Sequence, residues 1–383
     1  MKNQTISILK TIVFFSILFC LPFSAVPCTI VSAIAANGHV WNANNEDGPF
    51  GIANFINVYP KSKDQKYGYY TLSYLSPKYG QGGQMQGGMN EAGLTFDFNA
   101  IPKVEDFDPK SKKVFPKGDN AILPFILANF NSVEQVIDFF NTYWFQNGFT
   151  SAQMHVADKQ GNFAIISASG MKLVKNGNHL VSTNFDICKK EENTSCWRYP
   201  IATAKLSKLG ASLSTMTAIC KETAQKNGAT MYSNIQNLTT GDIWFFSKHD
   251  PDTLIKTNIN DLISKGNVSY SFSDLKSIQA KDKKHISSKP TEIPLNDTVL
   301  DNYIGIYKNG FIGNVMVKKN RKGLEILFSD GMKLTVNPSA SDTFFFPFED
   351  IVVRFSFDKE RDKMSINFFE NGLWSFTAWE ASS

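Results

Sequence analysis

Cysteine is scarce in this chain, five in 383 residues, and no two of them form a CxxC pair. The five histidines, His39, His155, His179, His249 and His285, show no metal-ligand spacing. No metal and no cofactor are therefore expected. A dominant charge is missing as well: 39 basic and 35 acidic residues leave a formal +4, spread thinly rather than gathered into a stripe, which argues against nucleic acid as the main partner. There is no internal repeat and no long low-complexity tract. The glycine run Gly80-Gln81-Gly82-Gly83-Gln84 with Gly87-Gly88 lacks the strand, loop, lysine and helix order of a phosphate-binding loop, and reads as close backbone approach in a sheet. The apolar run from Thr11 to Phe23 is too short to span a bilayer comfortably.

That short run does fit a secretory leader, with Lys2 and Lys10 as its positive region. Export to the periplasm or the extracellular space is the expectation, and the membrane enters only through the export signal. Cys28 ends the leader, so processing can turn an internal cysteine into an N-terminal one that carries both a thiol and its own amine. Two other readings stand beside this nucleophile: an ordinary buried cysteine, and the lipid-bearing cysteine of an anchored, non-catalytic surface binding protein. Lipoprotein signals want a small residue before the cysteine, and here it is Pro27, which also suits ordinary signal peptidase poorly. Cutting after Ala25 would leave Val26-Pro27 as a tiny propeptide. In an oxidising compartment the polar loop from Cys188 to Cys196 has ends that can meet in a bridge.

At 42% apolar, with 32 phenylalanines and 12 tyrosines, the chain can bury a sizeable core and is expected to form two unequal domains. Ile30 to Ile34 and His39 to Ala43 flank Asn37-Gly38 and read as a hairpin. Further strands are expected at Phe55 to Tyr59, Tyr67 to Leu75, Gly93 to Phe98, Gln153 to Ala157, Phe163 to Ser167, Leu180 to Thr183 and Asp242 to Ser247. Helices are expected at Ala121 to Asn129, Val133 to Asn141 behind a Ser132 capping box, Ile201 to Leu209 and Met216 to Lys226. This order suggests stacked antiparallel sheets with helices outside them. Residues 1–27 are assigned to the leader, 28–278 to the first domain, 279–297 to a Lys-, Ser- and Pro-rich linker, and 298–383 to a small all-β unit of short, closely spaced strands.

Four segments in order carry chemistry: Cys28-Thr29, then Asn44-Asn45-Glu46-Asp47-Gly48, then Gly88-Met89-Asn90-Glu91-Ala92-Gly93-Leu94, then Ser182-Thr183-Asn184. Together they resemble the N-terminal-nucleophile hydrolases of the choloylglycine hydrolase, penicillin V acylase and linear amide hydrolase group, over roughly Cys28 to His249. The resemblance implies an α+β fold, a four-layer αββα sandwich, followed here by the small β unit. It implies Cys28 as nucleophile with its freed α-amine as base, which suits an amine of pKa about 8. Asp47, nineteen residues further on, matches the family aspartate that orients the amine. Asn184 matches an oxyanion donor, with Asn99 the candidate for a second. Arg198 resembles the family's late active-site arginine, while Asn44 and Asn45 are candidate substrate-binding residues.

One departure stands out: the bile-salt and penicillin enzymes carry an arginine three residues before the aspartate, where this chain has Asn44. The implied reaction is hydrolysis of a small-molecule N-acyl amide through an acyl-enzyme thioester, with acyl transfer to an amine as its alternative. The segment from Leu300 to Tyr307 resembles the small β-barrel-like domain appended to some serine β-lactamase-type proteins.

Overall fold

The computed structural model describes residues 28–48, 53–74, 85–146, 149–175, 177–189, 196–225, 230–247, 250–279, 290–310, 312–321, 323–329, 333–347, 351–370 and 373–381. The leader, Gly80 to Gly83 and most of the expected linker lie outside them. Among the described residues the chain forms a mixed, sheet-rich N-terminal unit and a separate all-β barrel.

Six antiparallel strands form one sheet, in the spatial order β10 (His179–Ser182), β1 (Thr29–Ile34), β2 (Val40–Asp47), β11 (Thr230–Asn237), β12 (Asp242–Ser247) and β13 (Asp250–Asn258). Asn37-Gly38 makes the β1–β2 turn, with Gly38 at φ 81°, a conformation that costs glycine nothing. Eight strands form the second sheet, in the order β14 (Val268–Ser271), β3 (Asn54–Tyr59), β4 (Tyr69–Tyr74), β5 (Met85–Asn90), β6 (Leu94–Ala100), β7 (Ala152–Asp158), β8 (Phe163–Ser167) and β9 (Gly170–Val174).

Alternation along the strands sorts side chains into distinct cores. Val40, Ile56, Tyr70, Leu72, Phe163, Ile165, Tyr232 and Phe245 come from both sheets and form a shared cluster. On its other face the eight-stranded sheet packs Leu94, Phe96, Met154 and Val156 against α1 (Ile122–Asn129) and α2 (Val133–Thr142) through Ile126, Leu127, Val136 and Phe140. The six-stranded sheet turns Val31, Ala33, Trp41 and Ala43 toward α3 (Arg198–Leu209) and α4 (Leu213–Thr223), where Ala202, Leu206, Met216 and Ile219 meet them. Ser132 caps α2 by accepting from Gln135 N, but the Gln135 side chain accepts from Asn131 N rather than closing the expected box on Ser132. Gly88 lies so close to its neighbours that a Cβ would sit 2.4 Å from Tyr70 O and 2.8 Å from Leu127 Cδ1.

The C-terminal strands, from β15 (Gly305–Asn309) to β22 (Leu373–Glu380), close into a barrel in sequential order, the first pairing with the last at Tyr307 and Glu380. Val315, Val317, Ile326, Val336, Val353, Phe355, Phe368 and Phe376 fill it. Closure removes the sheet edge that short strands would otherwise expose. Tyr74, at the end of β4, packs into the same cluster, and Ala53 N donates to Ser375 O at 2.7 Å. The barrel therefore leans on the start of β3 and the end of β4.

Further expectations need amending. Cys188 and Cys196 do not form a disulfide: Cys188 Sγ donates to Gly170 O at 3.3 Å, whereas Cys196 is influenced by Thr183 and Arg198. Helix α3 starts at Arg198 rather than Ile201, which places the arginine in the first helical turn.

Candidate active site

All eight residues of β2 are buried although five of them are polar, Asn42, Asn44, Asn45, Glu46 and Asp47. Burying polar groups is costly unless each finds a partner, so the strand's surroundings must supply them. The two-residue period divides the five. Asn42, Asn44 and Glu46 face the second sheet: Asn42 bonds Gln236 of the adjacent strand β11, while Asn44 and Glu46 reach Asp97 and Tyr74 of the second sheet. Asn45 and Asp47 face the helical side: Asn45 Nδ2 donates to Cys220 O and Thr223 Oγ1 at 2.8 and 3.0 Å, and its Oδ1 accepts from Ser233 at 2.6 Å. The partners that hold Asn45 thus come from α4 and β11. Asn44 Nδ2 donates to Asp97 Oδ2 at 2.6 Å, so the position where an arginine was expected carries instead an amide bound to a buried carboxyl.

Cys28 immediately precedes β1, which lies between β10 and β2, and is 5% exposed. Its Sγ lies 3.9 Å from Glu46 Oε2 and 3.8 Å from Asp47 O. Burial first, and then the neighbouring Glu46 and Asp47, push the thiol well above its ordinary pKa.

Arg198 joins the remaining expected residues. Its Nη1 donates to Cys28 O at 2.6 Å and Thr29 Oγ1 at 3.0 Å, its Nη2 donates to Asn184 Oδ1 at 2.7 Å, and Nη1 stands 3.9 Å from Asp47 Oδ2. A planar guanidinium presents donors in a fixed fork, which lets one buried side chain serve several acceptors. Burial raises Asp47 to about 7, opposed by its hydrogen bond from Thr230, by Arg198 and by Gln225. Asp47 Oδ1 accepts from Thr230, while Oδ2 has no hydrogen-bond partner among the described residues.

Asn184 Nδ2 donates to Ala100 O at 2.8 Å, tying the segment after β10 to the end of β6. The preceding residue there is Asn99, fully buried, with neither side-chain polar atom partnered among the described residues. Gln153, opposite Asn99 in the sheet, clamps the same segment by donating to Thr183 O and Phe185 O at 2.8 and 2.9 Å. Cys28, Asp47, Arg198 and Asn184 thus form one connected set. Asn99 joins it through its chain neighbour, Asn44 lies on the inter-sheet face, and Asn45 lies apart among α4 and β11.

Sequence reasoning missed Glu46, Tyr74, Asp97, Thr230 and Gln153. Glu46 was within reach, since a strand that turns Asp47 to one face must turn Glu46 to the other. Tyr74 Oη donates to Glu46 Oε1 and, at 3.3 Å, to Asp47 O. Burial lifts Glu46 to about 8 against the pull of the Tyr74 hydrogen bond. Asp97 is pushed well above the carboxylate range by burial and by Glu46.

Deeper between the sheets, Ser32 Oγ donates to Asn42 Oδ1 at 2.7 Å and lies 2.9 Å from His155 Nε2, whose Nδ1 is 2.8 Å from Ser182 Oγ. Because the Ser32 proton goes to Asn42, His155 holds its proton on Nε2 and accepts at Nδ1. Burial lowers His155 to about 3, so this ring is a neutral structural link.

No family model and no curated protein matches the chain. Among solved structures it is similar to a variant of conjugated bile acid hydrolase from Clostridium perfringens, with 14% identity over 64% of this chain and 96% of that one and a TM-score of 0.45. It is also similar to penicillin V acylase from Agrobacterium tumefaciens, with 14% identity over 64% and 90% and a TM-score of 0.44. A third is the Caenorhabditis elegans ortholog of N-acylethanolamine-hydrolyzing acid amidase, with 20% identity over 55% and 93% and a TM-score of 0.41.

Proposed function

We propose that this chain is an exported hydrolase of linear amides that works through Cys28 as an N-terminal nucleophile, on a four-layer αββα scaffold. The observation that carries the reading is the buried set in which Arg198 bonds the Cys28 carbonyl and Asn184 while standing 3.9 Å from Asp47. The ordered sequence motifs give independent support, and the separate cores on either face of each sheet support the layer order.

In this mechanism the freed α-amine of Cys28 takes the thiol proton, and sulfur attacks the amide carbonyl carbon. The C–S bond forms as the carbonyl pair moves to oxygen. Collapse breaks the C–N bond, the α-ammonium gives its proton to the leaving nitrogen, and water then cleaves the thioester. Asp47 Oδ2, buried and without a hydrogen-bond partner among the described residues, is the acceptor that orients the amine. An oxyanion donor must be held ready before the charge develops. Asn99 suits this best, because a buried amide with no partner among the described residues costs about 1–3 kcal/mol that a substrate oxygen would recover. Asn184 holds the neighbouring strand end through Ala100 O. Asn44, facing the second sheet with Oδ1 unpartnered among the described residues, is the substrate-side amide.

A panel of N-acyl amides tests the proposal. Wild type should release the acid and accumulate a thioester on Cys28, and Cys28→Ala should stay folded and inactive. Turnover by Cys28→Ala would refute it.

A further inference from the structure

We propose that Glu46 is a catalytic residue of this site, a neutral carboxylic acid that hydrogen-bonds the Cys28 sulfur and steadies the thiolate as it attacks. This rests on Cys28 being the nucleophile. The geometry assigns the role in two steps. Glu46 Oε2 lies 3.9 Å from Cys28 Sγ, within hydrogen-bond reach of sulfur. The other oxygen, Oε1, is already taken as the acceptor of the Tyr74 hydroxyl. A phenol this deeply buried keeps its proton, so a neutral Glu46 must carry its own on Oε2, the oxygen that faces the sulfur.

The surroundings keep that proton in place. Around Glu46 stand Cys28, just ahead of β1, Tyr74 from β4, Asp97 from β6 and Tyr232 from β11, with Asp47 next to it on the other face of β2. Two carboxyls, Glu46 and Asp97, share this buried volume, while Asp47 and the Arg198 cation beside it lie on the opposite face of β2. Ionising Glu46 there would put a second negative charge against the thiolate, and burial holds the acid neutral up to about 8. The proton count is unchanged by the reaction: the α-amine takes the thiol proton and passes it to the leaving nitrogen, while Glu46 keeps its own. Tyr74 also packs into the barrel core, so the C-terminal unit fixes the ring that fixes Glu46.

The test is the rate at which iodoacetamide alkylates Cys28 in the mature full-length protein between pH 6 and 10, read from the mass of the Cys28 peptide. Glu46→Gln keeps an acceptor for Tyr74 and an N–H for sulfur and cannot ionise, so at pH 9 it should react about tenfold faster than wild type, a shift of about one pKa unit. Glu46→Ala loses the donor and should react about tenfold slower than Glu46→Gln throughout. Tyr74→Phe removes a bond that lowers the Glu46 pKa, and should move the alkaline break upward even if the alanine variant fails to fold. Matching profiles for wild type and Glu46→Gln, or equal loss in the glutamine and alanine variants, would overturn the assignment. Turnover measured in parallel on Cys28→Ala separates the two ideas: activity there removes the nucleophile, whereas the alkylation profiles judge Glu46 alone.

Discussion

Replacing Arg198 by methionine keeps most of the buried volume and removes every donor. Three acceptors would lose a donor at once, Cys28 O at 2.6 Å, Thr29 Oγ1 at 3.0 Å and Asn184 Oδ1 at 2.7 Å, and the Asp47 carboxylate would lose the cation 3.9 Å away. Arg198 and Asp47 have side chains only 3% and 0% exposed, so water cannot step in. Breaking a buried ion pair by removing one member costs about 3–5 kcal/mol, and each charged hydrogen bond is worth about 1.5–3 kcal/mol. These terms overlap on one side chain, and the larger single figure, about 3–5 kcal/mol, is the expected loss in the N-terminal unit. Asp47 would shed part of this by staying protonated to higher pH, because Arg198 opposes its raised pKa. Urea unfolding followed by tryptophan fluorescence reports the change, and the double variant Arg198→Met with Asp47→Asn should recover part of it. A loss below about 1 kcal/mol would mean that the arginine is not the hub of the site.

Two more outcomes follow from burial and close packing. The fold ionises Glu46 at about 8 and Asp47 at about 7, whereas the unfolded chain does so near ordinary carboxyl values. Between about pH 4 and pH 8 the folded state therefore binds more protons, and stability should fall as pH rises, by up to about 1.4 kcal/mol per unit for each group; a melting temperature that climbed from pH 5 to pH 8 would contradict this. Gly88→Ala forces a Cβ to 2.4 Å from Tyr70 O, so it should lower the unfolding free energy by about 1–3 kcal/mol or more, and an unchanged urea midpoint would show that β4 and α1 yield freely.

Much of the fold was legible because local chemistry announced it. Asn37-Gly38 named the first hairpin, Ser132 named the start of α2, and the alternation at Ile351, Val353 and Phe355 marked a barrel strand. The expected start of α3 at Ile201 falls three residues late; Pro200 is tolerated in a first turn, and the helix begins at Arg198. Strand β13 carries Asp250, Pro251 and Asp252 and shows no apolar run at its start, so pairing with β12 decides it. Cys28, Asp47 and Asn184 stood out by order and spacing, but the partners that tune them come from residues as distant as Tyr74, Asp97 and Thr230, which no local pattern links. Asn45 was selected by adjacency alone, and the two-residue period of β2 turns it toward α4.

The central claim is that Cys28 is the first residue of the working enzyme. Intact mass and N-terminal sequencing of the secreted, active form, taken with and without a thiol label on Cys28, measure it directly. The account predicts a chain that begins at Cys28, with an unmodified amine and loss of activity in step with labelling. Full activity in a form that retains residues ahead of Cys28 would contradict it.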